Sequence, residues 1–385
     1  PLRGLYVLLT ALTTLARLPI WTLLYALPAT RPVRTWTLSQ TLRVRLLRAL
    51  LECYAALDLR TPLSLDAGAE GERWERVPGV GEGWLRGVLR DERVRPEAVG
   101  GTWFPAPVKN DDDDDVGAVV LHVHGGAFTI GTGRDAAASS AATALLTHLN
   151  PPPSSSSSNP STYSPRITHV LTLQYRLASR PTHAPFPAAL QDTLSAYVHL
   201  TQTHAIPAAR IVLSGDSAGA TLVLGLLRYL AEYGAELDLA PPGAALLWSP
   251  WVDVAAGEGA LDRGALAGAG GGTDYCGEGF VAWGRGAWLR GLEGTGAQDE
   301  RLPYASPAGY AFKSPSPLFV QVGAVEALRP SVVRWVGQMR EQGTPTIPLS
   351  VTPNVPHDIL MAGMGLAFKA ELADMVAVAG EWLRG

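Results

Sequence analysis

Gly215-Asp216-Ser217-Ala218-Gly219 sets a serine between small residues two positions before and two after it. That spacing suits a sharp strand-to-helix turn, because small residues there relieve crowding and leave the hydroxyl exposed. A short apolar run precedes the motif and a long helical pattern follows, so Ser217 is the candidate nucleophile. A serine hydroxyl is a weak nucleophile until a base takes its proton, and behind such an elbow the partners come in the order serine, acid, histidine. His122, His124, His148, His169, His183, His199 and His204 all precede Ser217, which leaves His357 as the candidate base. The acid belongs at the end of the preceding strand, where a carboxylate holds the imidazole tautomer and stabilises the imidazolium. Glu326, in Gly323-Ala324-Val325-Glu326, fits that place; Asp358 is the second choice, badly placed to reach the ring of its own neighbour.

Acyl transfer also needs donors for the developing oxyanion, each worth about 3 to 4 kcal/mol of barrier. His124-Gly125-Gly126-Ala127-Phe128 follows an apolar run and offers backbone N–H groups at Gly125, Gly126 and Ala127, to be joined by that of Ala218. His122 and His124 alternate as strand residues do. A metal pair would need a third ligand that the sequence does not offer, so their expected role is structural and no metal or cofactor is called for.

These residues need a frame. Runs at 101–108, 116–123, 167–175, 211–213, 244–248, 318–323 and 347–351 read as strands, and 188–203, 218–233 and 331–342 as helices. Continuous apolar strands alternating with helices predict a mostly parallel sheet covered on both faces. Residues 36–100 read as helical pieces, and the Gly- and Ala-rich stretch 254–302 breaks the rhythm between two core strands. The acidic tract at 111–115 reads as a solvated hairpin tip and the Pro- and Ser-rich stretch 151–165 as a surface insertion.

The chain has 385 residues, 47% of them hydrophobic, enough for one large α/β domain with additions, and its net charge of -4 argues against nucleic acid as a partner. Cys53 and Cys276 form neither a disulfide framework nor a metal spacing. Residues 4–27 are almost wholly apolar, and about 24 residues suffice for a bilayer core of roughly 30 Å. Arg17 and Pro19 interrupt the run, so a tilted, kinked or half-inserted anchor fits as well as a clean span; a buried helix over the active site is the alternative. A cleaved signal peptide fits less well, because the run is long and lacks a small-residue cleavage pattern. Arg31, Arg34, Arg43, Arg45 and Arg48 follow with no acid before Glu52, which for a spanning segment puts the catalytic domain on the cytosolic side.

From about Val116 onward the chain resembles the hormone-sensitive-lipase-like branch of the α/β-hydrolases, hydrolase fold 3. The resemblance is carried by H-G-G-A-F, by Tyr175-Arg176-Leu177-Ala178 with Pro185-Phe186-Pro187-Ala188-Ala189 after it, by G-D-S-A-G, and by Trp248-Ser249-Pro250-Trp251-Val252-Asp253. It implies a mostly parallel eight-stranded sheet with helices on both faces and a helical lid. It also implies oxyanion N–H groups at Gly126, Ala127 and Ala218. Ala127 replaces a more usual glycine, and Glu326 stands where many members carry Asp. The resulting division is an anchor candidate at 1–29, a lid region at 30–100, a catalytic core at 101–253 and 303–385, and a second lid segment at 254–302. The expected function is hydrolysis of a small to medium apolar carboxylic ester through an acyl-enzyme, with Ser217, His357 and Glu326 as the triad. Trp74, Trp84, Trp283 and Trp288, in or near the lid, suit an apolar acyl or alcohol group. An amidase or deacetylase using the same triad, or a catalytically silent binding protein, are the alternatives.

Overall fold

The computed structural model describes residues 2–108, 117–150, 166–179, 184–267, 272–290, 292, 299–344 and 347–385. The expectations for the acidic tract 111–115, the insertion 151–165 and His183 fall outside the described residues.

The apolar runs become one eight-stranded sheet: β1 (Trp74–Val77), β2 (Val99–Phe104), β3 (Ala118–Val123), β4 (Ile167–Gln174), β5 (Ile211–Asp216), β6 (Ala244–Trp248), β7 (Leu318–Gly323) and β8 (Leu349–Thr352). Their order is β1-β2-β4-β3-β5-β6-β7-β8. The β1/β2 and β2/β4 pairs are antiparallel and the others parallel. β3, β5, β6 and β7 are buried at every residue, as strands covered on both faces must be. In-register pairing of Val123 with Gly215 and of Asp216 with Trp248 aligns the strand ends from which the candidate site emerges.

The helices are α1 (Leu2–Leu24), α2 (Leu38–Leu57), α3 (Asp135–His148), α4 (Ala188–Val198), α5 (Ala218–Tyr233), α6 (Arg263–Leu266), α7 (Glu278–Trp288), α8 (Leu302–Ala305), α9 (Arg329–Glu341), α10 (Ile359–Leu366) and α11 (Lys369–Leu383). α4 packs with α5, and α3 with α10 and α11, giving the sheet its two helical layers. α2 begins at a capping box in which the Thr37 hydroxyl accepts the Gln40 N–H and the Gln40 side chain accepts the Thr37 N–H. It runs against α7, where the Trp283 indole donates to Asp58 at 2.9 Å.

Several elements differ from expectation. Trp74–Val77, read as part of a helical stretch, is the edge strand β1, and β2 occupies 99–104 because Pro105 cannot continue its ladder. The helix expected over 188–203 ends as α at Val198 and widens into a π-helical turn at His199–Thr203. Trp74 belongs to the sheet edge, with the Arg134 guanidinium 3.8 Å above its ring, whereas Trp283 and Trp288 lie on α7.

α1 carries Leu5, Leu8, Leu12, Leu15, Ile20 and Leu23 exposed, and Arg3–Leu24 is long and apolar enough to cross a membrane with none of its most apolar window buried. That exposure contradicts the alternative of a buried helix over the active site. Arg31 donates to the Tyr25 and Ala26 carbonyls at 2.9 and 3.0 Å, satisfying acceptors just past the end of α1.

Candidate active site

β5 delivers Ser217 into the turn before α5 with φ 50° and ψ -115°, a conformation L residues rarely adopt. The glycines of the motif are required by contact. A Cβ on Gly215 would lie 2.6 Å from the Gly219 carbonyl oxygen, and one on Gly219 would lie 1.9 Å from that of Val123. The Ser217 N–H donates to the Trp248 carbonyl at 2.9 Å, and the Ser217 carbonyl accepts the Trp251 N–H at 3.1 Å, so β6 and the loop after it clamp the strained residue.

His357 follows β8 and brings Nε2 to 2.8 Å from the Ser217 hydroxyl, the separation at which an imidazole accepts its proton. Glu326 follows β7. Its Oε2 accepts the Ser249 hydroxyl at 2.6 Å and the Gly323 N–H at 2.8 Å, while Oε1 lies 3.8 Å from His357 Nδ1 and both of these atoms lack a hydrogen-bond partner. The structure thus brings together the serine, histidine and glutamate that the sequence singled out. Ser217 is only 8% exposed, and His357 and Glu326 are buried.

Burial works against protonation of His357, but Cys276 and Glu326 beside the ring outweigh it and hold its pKa well above the usual histidine range. Burial itself pushes the Cys276 thiol up to about 11.

The oxyanion expectation needs one correction. The Gly125 N–H donates to Asp216 Oδ2 at 2.7 Å and is already engaged, so Gly125 shapes the loop but offers no donor. Among the described residues, the N–H groups of Gly126, Ala127 and Ala218 have no hydrogen-bond partner within the chain. Gly126 (φ 96°), Ala127 (φ 53°) and Phe128 (φ 61°) form a run of left-handed residues that turns the loop back under the serine. α7 lies directly on this loop, since a Cβ on Gly284 would fall 2.6 Å from that of Ala127. Phe128 stacks on Trp288 with centroids 4.1 Å apart.

Residues that sequence reasoning left aside complete the frame. Ser249 (φ 44°) both donates to Glu326 and accepts the Asp358 N–H at 3.0 Å, joining the acid's loop to that of the base. Its position in Trp248-Ser249-Pro250 was the available signal. Asp358, the second-choice acid, turns away from the ring: its Oδ1 accepts the Met361 N–H at 3.3 Å, and its carboxyl hydrogen-bonds that of Asp216. Burial raises the pKa of both carboxyls; Asp216 raises that of Asp358 further, whereas the bond from Asp358 works the other way on Asp216. His122 places Nε2 3.2 Å from Asp216 Oδ1 and Nδ1 3.0 Å from the Ser214 hydroxyl. His124 donates from Nδ1 to the Gly125 carbonyl at 2.7 Å and stacks on Tyr175. Burial pushes both rings down to about 4, so they are neutral props of the loop.

Residues 166–361, just over half of the chain, match the family described as alpha/beta hydrolase fold. An acetyl-hydrolase of Streptomyces hygroscopicus is 35% identical over 187 residues, covering 46% of this chain and 52% of that protein, so the chain spans about half the length of this curated relative. Among solved structures, a mutant esterase is 26% identical over 88% of this chain and 91% of its own, with a TM-score of 0.56. An esterase from the bacterial hormone-sensitive lipase family is 24% identical over 91% and 98% of the two chains, with a TM-score of 0.59. The chain belongs to the alpha/beta hydrolase fold family.

Proposed function

We propose that this protein hydrolyses carboxylic esters through an acyl-enzyme formed on Ser217. The observation that carries the reading is the 2.8 Å approach of His357 Nε2 to a serine hydroxyl held on a strained elbow. His357 takes the hydroxyl proton as Ser217 Oγ bonds to the ester carbonyl carbon. The carbonyl oxygen becomes an oxyanion facing the N–H groups of Gly126, Ala127 and Ala218. Collapse of that intermediate breaks the bond to the alcohol, which leaves with the proton returned by His357. Water then repeats the sequence on the acyl-serine and releases the acid. Glu326 closes onto Nδ1 as the ring becomes cationic. None of these steps calls for a metal or other cofactor.

α2 and the 272–290 segment serve as the lid. Trp288 packs on Phe128 and the Tyr275 ring lies 5.8 Å from that of His357, so the acyl chamber has aromatic walls and little exposure. Together with the acetyl-hydrolase relative, this favours a short apolar acyl group. That relative is equally compatible with removal of an acetyl group from an amine by the same triad. The exposed apolar side chains of α1 favour association with a membrane, and the arginines from Arg31 to Arg48 favour the cytosolic side for the catalytic domain.

A panel of p-nitrophenyl esters of graded acyl length, run beside the corresponding anilides, tests this reading. Turnover of short-chain esters that is lost in Ser217→Ala is expected. Cleavage of the anilides in preference to the esters would assign the triad to amides instead, and turnover of neither would remove the hydrolase reading. Sedimentation with phospholipid vesicles that is lost on deleting residues 2–24 is expected for the membrane role.

A further inference from the structure

At the far edge of the sheet, separated from β5 by β2, β4 and β3, a second group of chemically capable side chains takes no part in the site above. Glu75 on β1 points Oε1 at two imidazoles, 2.8 Å from His199 Nε2 and 2.8 Å from His204 Nε2. His204 Nε2 also lies 3.0 Å from Oε2. The three residues offer ligand atoms that all lie within 4.8 Å of one another. They come from separate places: the edge strand, the first residue of the π-helical turn, and the residue just past it.

We propose that Glu75, His199 and His204 form a divalent-metal site, best matched to Zn2+, that fastens the β1 edge to the end of α4. Two imidazole nitrogens and one carboxylate oxygen are a donor set suited to Zn2+, with a fourth, tetrahedral position left for water. Tetrahedral bonds of about 2.0–2.1 Å set ligand atoms about 3.3–3.4 Å apart, so each imidazole nitrogen would draw back from Glu75 Oε1 by about half an ångström. The widened turn has a reason in this reading, because a π-helical turn brings the side chains of residues five apart onto one face, and π-bulges concentrate at functional sites.

The surroundings fit as well. The Trp103 indole N–H donates to Glu75 Oε2, an outer-shell bond of the kind that orients a ligating carboxylate. The His204 ring packs edge-on against Trp103 with centroids 5.4 Å apart, fixing the plane of that imidazole. The Glu75 and His204 side chains keep 24% and 12% of their exposure, which gives an ion and its water a way in. Binding an ion requires each imidazole to move its proton from Nε2, where it now bonds Glu75, to Nδ1, so the metal replaces those two hydrogen bonds.

The test uses the full-length chain, stripped with a chelator and then titrated with Zn2+ by calorimetry and with Co2+ by visible absorption. One metal per chain and the intense absorption of tetrahedral Co2+ are expected. Both should vanish in the His199→Gln/His204→Gln variant, with folding checked by circular dichroism. Should that variant not fold, His204→Gln alone, on the partly exposed turn, must still abolish the Co2+ spectrum. Trp103→Phe should weaken Zn2+ binding by about 10- to 100-fold. Ester hydrolysis should be the same with and without Zn2+, so failure of this proposal leaves the reading of Ser217 standing. No saturable heat with folded wild-type protein, or a Co2+ spectrum unchanged in His204→Gln, overturns the site and leaves Glu75 as a carboxylate that merely ties two histidines to the sheet edge.

Discussion

Two of the molecule's histidine–carboxylate groups, those of Glu75 and Glu326, are built in opposite ways. At the β1 edge, Glu75 is saturated: His199 and His204 reach Oε1 at 2.8 Å and Trp103 donates to the other oxygen. Beside β5, Glu326 is anchored through one oxygen only, and the other stands 3.8 Å from His357 Nδ1 with nothing bonded between. A carboxylate satisfied on all sides is fixed in place, as a structural tie or a ligand should be. One with a free oxygen facing an imidazole gains a bond when that imidazole becomes cationic, so its interaction is stronger in the transition state than in the resting enzyme, which is what catalysis requires.

Substitutions can break this contrast, and Ser217→Ala should do so most severely. Ester turnover is expected to fall on the order of a million-fold, to the background of a continuous chromogenic assay, with the fold intact. Glu326→Gln should lower kcat by about 10⁴-fold, because the neutral amide neither stabilises the imidazolium nor holds the tautomer. It should also move the pH profile. His357 must be neutral to accept the serine proton, so activity falls as pH drops through its pKa. A pKa held above the usual value of about 6.5 puts that limb on the alkaline side of an ordinary histidine, and removing the Glu326 charge should shift it to lower pH. Gly219→Ala, with its Cβ forced onto the Val123 carbonyl, should cost about 3 kcal/mol of stability in urea unfolding. Ser249→Ala frees Glu326 Oε2 and should reduce kcat by about 10- to 100-fold, the worth of one hydrogen bond to a charged group. His204→Gln, at the saturated pair, should leave kcat/KM unchanged.

The two regions also differ in how legible they were. Ser217, His357 and Glu326 could be read because chain order leaves one histidine and one well-placed carboxylate after the G-x-S-x-G elbow, and the continuous apolar strands announced the parallel sheet. What escaped depends on contacts between distant segments. The Gly125 N–H is taken by Asp216, 91 residues away, a contact that no local pattern announces. Ser249 gains its role only because the ends of β6 and β7 lie side by side. β1 is four residues with two charges, too short and polar to show a strand period, and without it Glu75 could not be placed near two histidines more than 120 residues later. α3 was hidden by its Ala, Ser and Thr content, which leaves little apolar periodicity to see.

Fluorophosphonate labelling read by peptide mass spectrometry tests the central claim most directly, because the reagent phosphonylates a serine only where a base and an oxyanion site activate it. Wild-type protein should carry a single adduct on the peptide containing Ser217, formed faster as pH rises through the His357 pKa, and Ser217→Ala should carry none. Folded wild-type protein that stays unlabelled, or equal labelling of Ser217→Ala, would contradict the account.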